Sequence, residues 1–194
     1  MIRGTVIFLN GTSSSGKTSI SNELIRILND DDFMYLSVDH AINGVNDMLL
    51  NMFGKHITRD EVSIIEHKEI IENSVISLFH HYILAFSMLG KNIVVDHVLI
   101  DPKWLQECIL LLDTSNTYLI GVHCPLQELE RRERTRGDRP VGLAKAQYTI
   151  VHKNIGYDLE VNTFTNSIEE CSKKIKDFIM TIKPKALQVL KDAK

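Results

Sequence analysis

The sequence is short of cysteine: Cys108, Cys124 and Cys171 are odd in number, widely spaced and without a CxxC pair. That pattern excludes a disulfide framework and a zinc site built on paired thiolates, and fits small core or surface side chains in a reducing cytosol. Long hydrophobic runs are also missing. No stretch approaches the roughly 20 apolar residues that span a bilayer. The apolar run Thr5–Leu9 is too short for the core of a secretory signal and leads straight into a glycine loop. A cytoplasmic protein with no membrane partner is expected. Charge of one sign is not in excess: 22 Lys and Arg face 25 Asp and Glu, for a net charge of −3 and a pI of about 6.2. Nucleic-acid binders usually carry a basic surplus, so no nucleic-acid partner is expected. There is no internal repeat, low-complexity tract or linker-like stretch. What remains is an ordinary globular composition, 44% apolar and 24% charged over 194 residues. It suits a single α/β domain, residues 1–194, with one sizeable core.

Strand and helix patterns alternate along the chain. Val6–Leu9 is a continuous apolar run ended by Asn10-Gly11, as in a strand buried on both faces. Ile20, Leu24, Ile25 and Leu28 then fall on one helical face. Met34–Val38 reads as a second strand, with Asp39 at its C-terminal end. Ala41–Phe53 reads as helical, and Arg59–Leu89 as a long helix capped at Gly90. Asn92–Val95 is a third strand ending at Asp96. Pro102 and Pro125 open further helices, around a fourth strand at Tyr118–Val122. Tyr157–Val161 is a weaker fifth strand, and Asn166–Ile182 the last helix, followed by a Lys-rich tail expected to lie on the surface or fray. This order predicts a three-layer α/β fold: a five-stranded parallel sheet with helices on both faces.

Residues 11–18 read GTSSSGKT, a full match to G-x-x-x-x-G-K-[ST]. Gly11 allows a tight turn off the strand, and Gly16 lets backbone approach phosphate closely. Successive backbone N–H groups from Thr12, Ser13, Ser14 and Ser15 through Ser19 then form an anion cradle at a helix N-terminus. Lys17 supplies positive charge for the β- and γ-phosphates, and the Thr18 hydroxyl is a Mg²⁺ ligand. The motif follows a buried strand and opens an amphipathic helix, as its chemistry requires. ATP and Mg²⁺ are the expected cofactors.

Ligands of open parallel sheets bind beyond the carboxyl ends of the strands. Asp39 in LSVDH and Asp96 in IVVDH sit there. A carboxylate facing a phosphate loop can take the proton of an attacking hydroxyl or hold Mg²⁺. Asp39 is assigned the base role and Asp96 the magnesium side. His40 and His97, which follow them, are expected to cap or pack. Residues 131–139, RRERTRGDR, are dense in arginine. Arg136 and Arg139 are expected to contact phosphate from a lid over about 131–143, its mobility supplied by Gly137 and Gly142. Arg131, Arg132 and Arg134 read instead as a solvated helix face paired with Glu128, Glu130 and Glu133.

These residues imply transfer of a γ-phosphate to a hydroxyl of a small molecule. The acceptor stays open among small-molecule alcohols such as a nucleoside, sugar or nucleotide-sugar. A nucleotide-binding regulator is the reading from another class, but a GTP switch would need an N-K-x-D signature, which is absent. The oligomeric state is left open.

A linked series of segments resembles the chloramphenicol phosphotransferases, relatives of the shikimate and adenylate kinases. The segments are FLNGTSSSGKTS, SVDH, IVVDHV, GVHCPLQELERRERTRGDR and QYTIVHKNIGYDLEVNT, spanning roughly residues 5–165. Gly121–Thr163 is the most specific part. The resemblance implies a P-loop kinase fold, ATP and Mg²⁺ use, and chloramphenicol as an acceptor. It maps the family's base to Asp39, its loop lysine and hydroxyl to Lys17 and Thr18, and its lid arginines to Arg136 and Arg139. The chain departs from the family pattern at His97, where a second acid is usual, and between Asn43 and Ile70.

Overall fold

The structure, a computed structural model, describes residues 3–28, 32–44, 62–112, 116–136 and 142–193. The elements run β1 (Val6–Asn10), α1 (Lys17–Ile27), β2 (Phe33–Ser37), α2 (Val62–Met88), β3 (Asn92–His97), α3 (Pro102–Leu112), β4 (Thr117–His123), α4 (Leu126–Arg136), α5 (Leu143–Tyr148), β5 (Leu159–Asn162), α6 (Ile168–Thr181) and α7 (Ala186–Asp192). The strands form one parallel sheet in the order β2-β3-β1-β4-β5. Each strand is therefore joined to the next by a crossover, and both faces must be covered.

The alternation of side chains along β1 divides the core. Val6 and Phe8 face one side, where Ile76, Phe79 and Ile83 of α2, Ile109 and Leu112 of α3, and Leu187 of α7 pack. Ile7 and Leu9 face the other, against Ile20 and Leu24 of α1 and Cys171 and Ile175 of α6. All four β1 side chains are at most 1% exposed. Each such burial contributes on the order of 2 kcal/mol, so the central strand is rigidly held beneath the loop it launches.

Local chemistry ends the elements. At the C-terminus of α2, Gly90 takes φ 76°. The Gly90 N–H donates to Ser87 O and the Lys91 N–H to Phe86 O, the paired bonds that a left-handed glycine permits. α6 starts with a reciprocal Ser167/Glu170 capping box.

Two sequence expectations shift. The second strand stops at Ser37, the last residue with a partner on β3 (Ser37 beside Asp96). Although β3 runs one residue further, to His97, the chain turns helical over 38–44, Val38 enters the core, and Asp39 falls in a helical turn rather than at a strand end. The C-terminal tail does not fray: Asp158 Oδ1 accepts the Lys185 and Ala186 N–H groups, which starts α7 and buries Ala186 and Leu187. The rest of the expected Ala41–Phe53 helix, and Gly137–Arg139 of the expected lid, lie outside the described residues.

Candidate active site

The carboxyl end of β1 delivers Gly11. A Cβ there would stand 2.4 Å from Val122 O and 2.9 Å from Ser15 Oγ, so only glycine lets the loop leave the strand against β4. Ser14 (φ 62°) and Gly16 (φ 94°) then take left-handed backbone, which wraps the loop before α1 begins at Lys17. A serine held at positive φ is local strain of the kind found at ligand loops. The Oγ atoms of Ser14 and Ser15 are buried without a hydrogen-bond partner. They are polar groups already stripped of water inside a ring of backbone donors, as a bound anion requires.

Lys17 is 5% exposed and its Nζ donates to Gly11 O and Thr12 O, both at 2.8 Å, folded back across its own loop. The same Nζ lies 3.8 Å from Asp96 Oδ1. Asp96 Oδ2 accepts the Thr18 hydroxyl at 2.7 Å and the Tyr35 hydroxyl at 3.3 Å. Burial, then the Asp96 charge, push the Tyr35 hydroxyl's pKa up and keep it a donor. Three elements thus converge on Asp96: β3 carries it, the start of α1 brings Lys17 and Thr18, and β2 brings Tyr35. Tyr35 was not singled out from the sequence; its only signal was a tyrosine on the strand beside Asp96.

Lys17, Thr18 and Asp96 line a cleft of about 370 Å³, with Ser14, Gly16, Ser19, Asp39, Arg132 and Arg136 on its walls and Thr163, Asn166, Ser167 and Ile168 along one edge. Asp39 and Arg136 therefore join the loop residues. Gly11, Thr12, Ser13 and Ser15 lie beneath the loop surface rather than on the cleft wall; Thr12, Ser13 and Ser15 are at most 2% exposed. Arg139 is outside the described residues. The oxygen-only donors near Lys17, namely the Thr18 hydroxyl and the Asp96 and Asp39 carboxylates, suit a hard divalent cation such as Mg²⁺.

Two charged residues expected at the solvated face are structural members of the site. Arg132 donates Nη1 to Ser14 O at 3.3 Å and Thr163 Oγ1 at 3.0 Å, Nη2 to Thr163 O at 3.0 Å, and Nε to Glu128. Thr163 in turn donates its hydroxyl to Ser15 O at 2.7 Å. One guanidinium fork therefore clamps the phosphate loop to the end of β5. Glu133 is 2% exposed and accepts the Gly142 and Ala144 N–H groups, which caps α5. Arg131 and Arg134 do stay exposed, Arg131 paired with Glu128. Gln147 of α5 braces the loop from the other side, its Oε1 accepting the Ser13 N–H at 2.7 Å. His97, at the position where the family has a second acid, is fully buried. It stacks on Phe8, and its Nε2 faces His80 Nε2 at 3.0 Å, while His80 Nδ1 meets Glu107 at 2.6 Å.

Comparison with known proteins bears on the family and the fold. A family model described as chloramphenicol phosphotransferase-like protein matches residues 4–180. A Mycobacterium tuberculosis protein provisionally named O-phosphotransferase Rv2636 is 26% identical over 185 residues, covering 90% of this chain and 82% of the relative. Among solved structures, the Mycobacterium tuberculosis APS kinase CysC in complex with AMPPNP and APS superposes with a TM-score of 0.65 at 19% identity, covering 93% of this chain and all of that one. A gluconokinase from Sinorhizobium meliloti 1021 does so with a TM-score of 0.60 at 12% identity, covering 100% and 99%. The fold is that of P-loop kinases, and the chain belongs to the chloramphenicol phosphotransferase-like family.

Proposed function

We propose that the protein transfers the γ-phosphoryl group of ATP to a hydroxyl of a small molecule, with Asp39 as the general base. The observation that carries this reading is the placement of Asp39 and Asp96 in one cleft with Lys17, Thr18 and Arg136. A loop that merely sensed nucleotide would not need a second carboxylate at its mouth.

In this reading the loop amides and Lys17 bind the β- and γ-phosphates, and Lys17 exchanges its two loop carbonyls for phosphate oxygens. Thr18 and Asp96 would hold Mg²⁺, which would supply charge neutralisation for the phosphates when bound. Asp39 orients the acceptor hydroxyl and takes its proton as the oxygen attacks phosphorus in line. The guanidinium of Arg136, joined by Arg139, balances charge on the transferred group. Arg132 stays in the clamp and positions the loop. The products are ADP and a phosphate monoester, and no phospho-enzyme intermediate is needed.

Chloramphenicol is the first acceptor to test, because the family model carries its name. Nucleosides, sugars and aminoglycosides belong in the same panel. The test is ATP consumption with Mg²⁺ over that panel, with mass detection of the product. A phosphorylated hydroxyl compound supports the proposal and names its acceptor. ATP turned over to free phosphate alone, unchanged by every compound, would contradict it.

A further inference from the structure

Tyr35 lies on β2 beside Val94 and two residues before Ser37, which pairs with Asp96. Paired residues of neighbouring strands share a face, and so do side chains two apart on one strand. Tyr35 and Asp96 therefore stand on the same side of the sheet, the α1 side on which Val94 packs. Two residues span about 7 Å along a strand, an offset that a tyrosine side chain can cross. Its hydroxyl ends 3.3 Å from Asp96 Oδ2. Tyr35 does not line the phosphate cleft, although Asp96 does, so it reaches the cleft only through the carboxylate.

The carboxylate is used unevenly. Oδ2 accepts two hydroxyls, from Thr18 at 2.7 Å and from Tyr35, while Oδ1 is turned toward Lys17 Nζ at 3.8 Å. The two hydroxyl donors are not equivalent. Thr18 is itself a proposed magnesium ligand, so its oxygen has to turn to the cation and its bond to Asp96 must adjust. Tyr35 stands behind the cleft wall and carries no such duty. Its ring has a second support: it meets the His40 ring edge-on, with centroids 5.8 Å apart and planes at 84°. His40 follows Asp39 on the helical stretch 38–44. One side chain therefore touches both Asp96 and the turn that carries Asp39.

We propose that Tyr35 is a positioning residue for the metal side of the site: its hydroxyl holds Asp96 Oδ2 and so keeps Oδ1 turned toward Lys17 and the phosphate end of the cleft. This role rests on the kinase reading and on the magnesium role of Asp96 within it. A carboxylate anchored by one oxygen has less rotational freedom to lose when the other meets a cation or the cation's water, so the anchored form binds more tightly. Groups that orient a ligating side chain without touching the metal change metal affinity by roughly 10- to 100-fold when removed. The Tyr35 bond is the longer of the two on Oδ2, so the lower end of that range is expected here.

The test measures AMPPNP binding to the full chain by calorimetry, in EDTA and in saturating Mg²⁺. The ratio of the two affinities is the gain that the cation contributes on the protein. Tyr35→Phe removes the hydroxyl and keeps the ring against His40. It should bind AMPPNP in EDTA within about twofold of the parent chain and show a magnesium gain smaller by roughly tenfold. In an Asp96→Ala background the same substitution should change the gain no further, because the tyrosine acts only through the carboxylate. The proposal is overturned by an equal gain in Tyr35→Phe and the parent, by the same loss surviving in the Asp96→Ala background, or by an equal loss with and without the cation, which would make Tyr35 a support of the fold alone. A parent chain that gains nothing from Mg²⁺ overturns it together with the magnesium role of Asp96. None of these outcomes needs an acceptor, so failure here is distinct from failure of phosphoryl transfer.

Discussion

Thr18 donates its hydroxyl to Asp96 Oδ2 across 2.7 Å, joining the first turn of α1 to the end of β3. This bond sets the spacing of the two oxygens proposed to hold magnesium. If they act as a unit, Thr18→Ala and Asp96→Ala should each lower kcat by about 100-fold or more, and the double variant should lose far less than the product of the two. Steady-state kinetics over a magnesium titration reads this out. Multiplicative losses would mean that the two side chains act separately.

Arg132 makes a prediction that its exposed neighbours do not. Its fork spans Ser14 and Thr163, so Arg132→Ala should destabilise the fold by about 1–3 kcal/mol and weaken nucleotide binding. Arg132→Lys should rescue little, because one ammonium cannot reach both partners in the same geometry. Arg131→Ala, at an exposed pair, should shift stability by less than about 0.5 kcal/mol. Thermal melts with and without AMPPNP separate the three.

At Gly11 a methyl group meets backbone: Val122 O would lie 2.4 Å from the new Cβ. Gly11→Ala should therefore displace the loop and abolish nucleotide binding. Gly44→Ala, on the helical stretch 38–44 with no atom of the described residues within 4 Å of the new Cβ, should be neutral or slightly stabilising. Nucleotide affinity measured by calorimetry distinguishes them, and tight binding by Gly11→Ala would contradict the loop geometry.

Acid sensitivity follows from the buried pair His97 and His80. Burial lowers both pKa values in the fold, that of His97 strongly. In the unfolded chain each titrates near 6.5. Above that pH both states are neutral and the full stability is present. As pH falls from about 6.5 toward the folded values, the unfolded chain takes up protons that the folded one refuses, and stability drops by roughly 1.4 kcal/mol per pH unit for each such histidine. Urea unfolding at neutral and mildly acidic pH should show a shallower loss for His97→Phe than for the parent chain. Equal slopes would contradict this.

The phosphate loop, the parallel sheet and the cleft position of Asp96 were legible because each depends on short-range pattern: an apolar run, a glycine spacing, an acid where a strand stops; Asp39 lines the same cleft from a helical turn instead. Arg132 and Glu133 were not. In RRER, charges spaced three and four apart look the same whether the helix face meets solvent or another element; only the fold brings Ser14, Thr163 and α5 against it. Gln147 was missed for a similar reason, since its partner lies about 130 residues away in sequence. The end of β2 was misplaced because Val38 is as apolar as a strand residue, yet its side chain enters the core from the first residue of a helical turn.

The central claim is that Asp39 takes the acceptor's proton. Single-turnover transfer from γ-labelled ATP, measured for the parent chain and for Asp39→Asn with the acceptor found in the panel, tests it most directly. The amide keeps the shape of the side chain and cannot act as base. The account predicts nucleotide affinity within about threefold of the parent chain and a transfer rate lower by about 100-fold or more. Transfer at a near-normal rate in Asp39→Asn would contradict it.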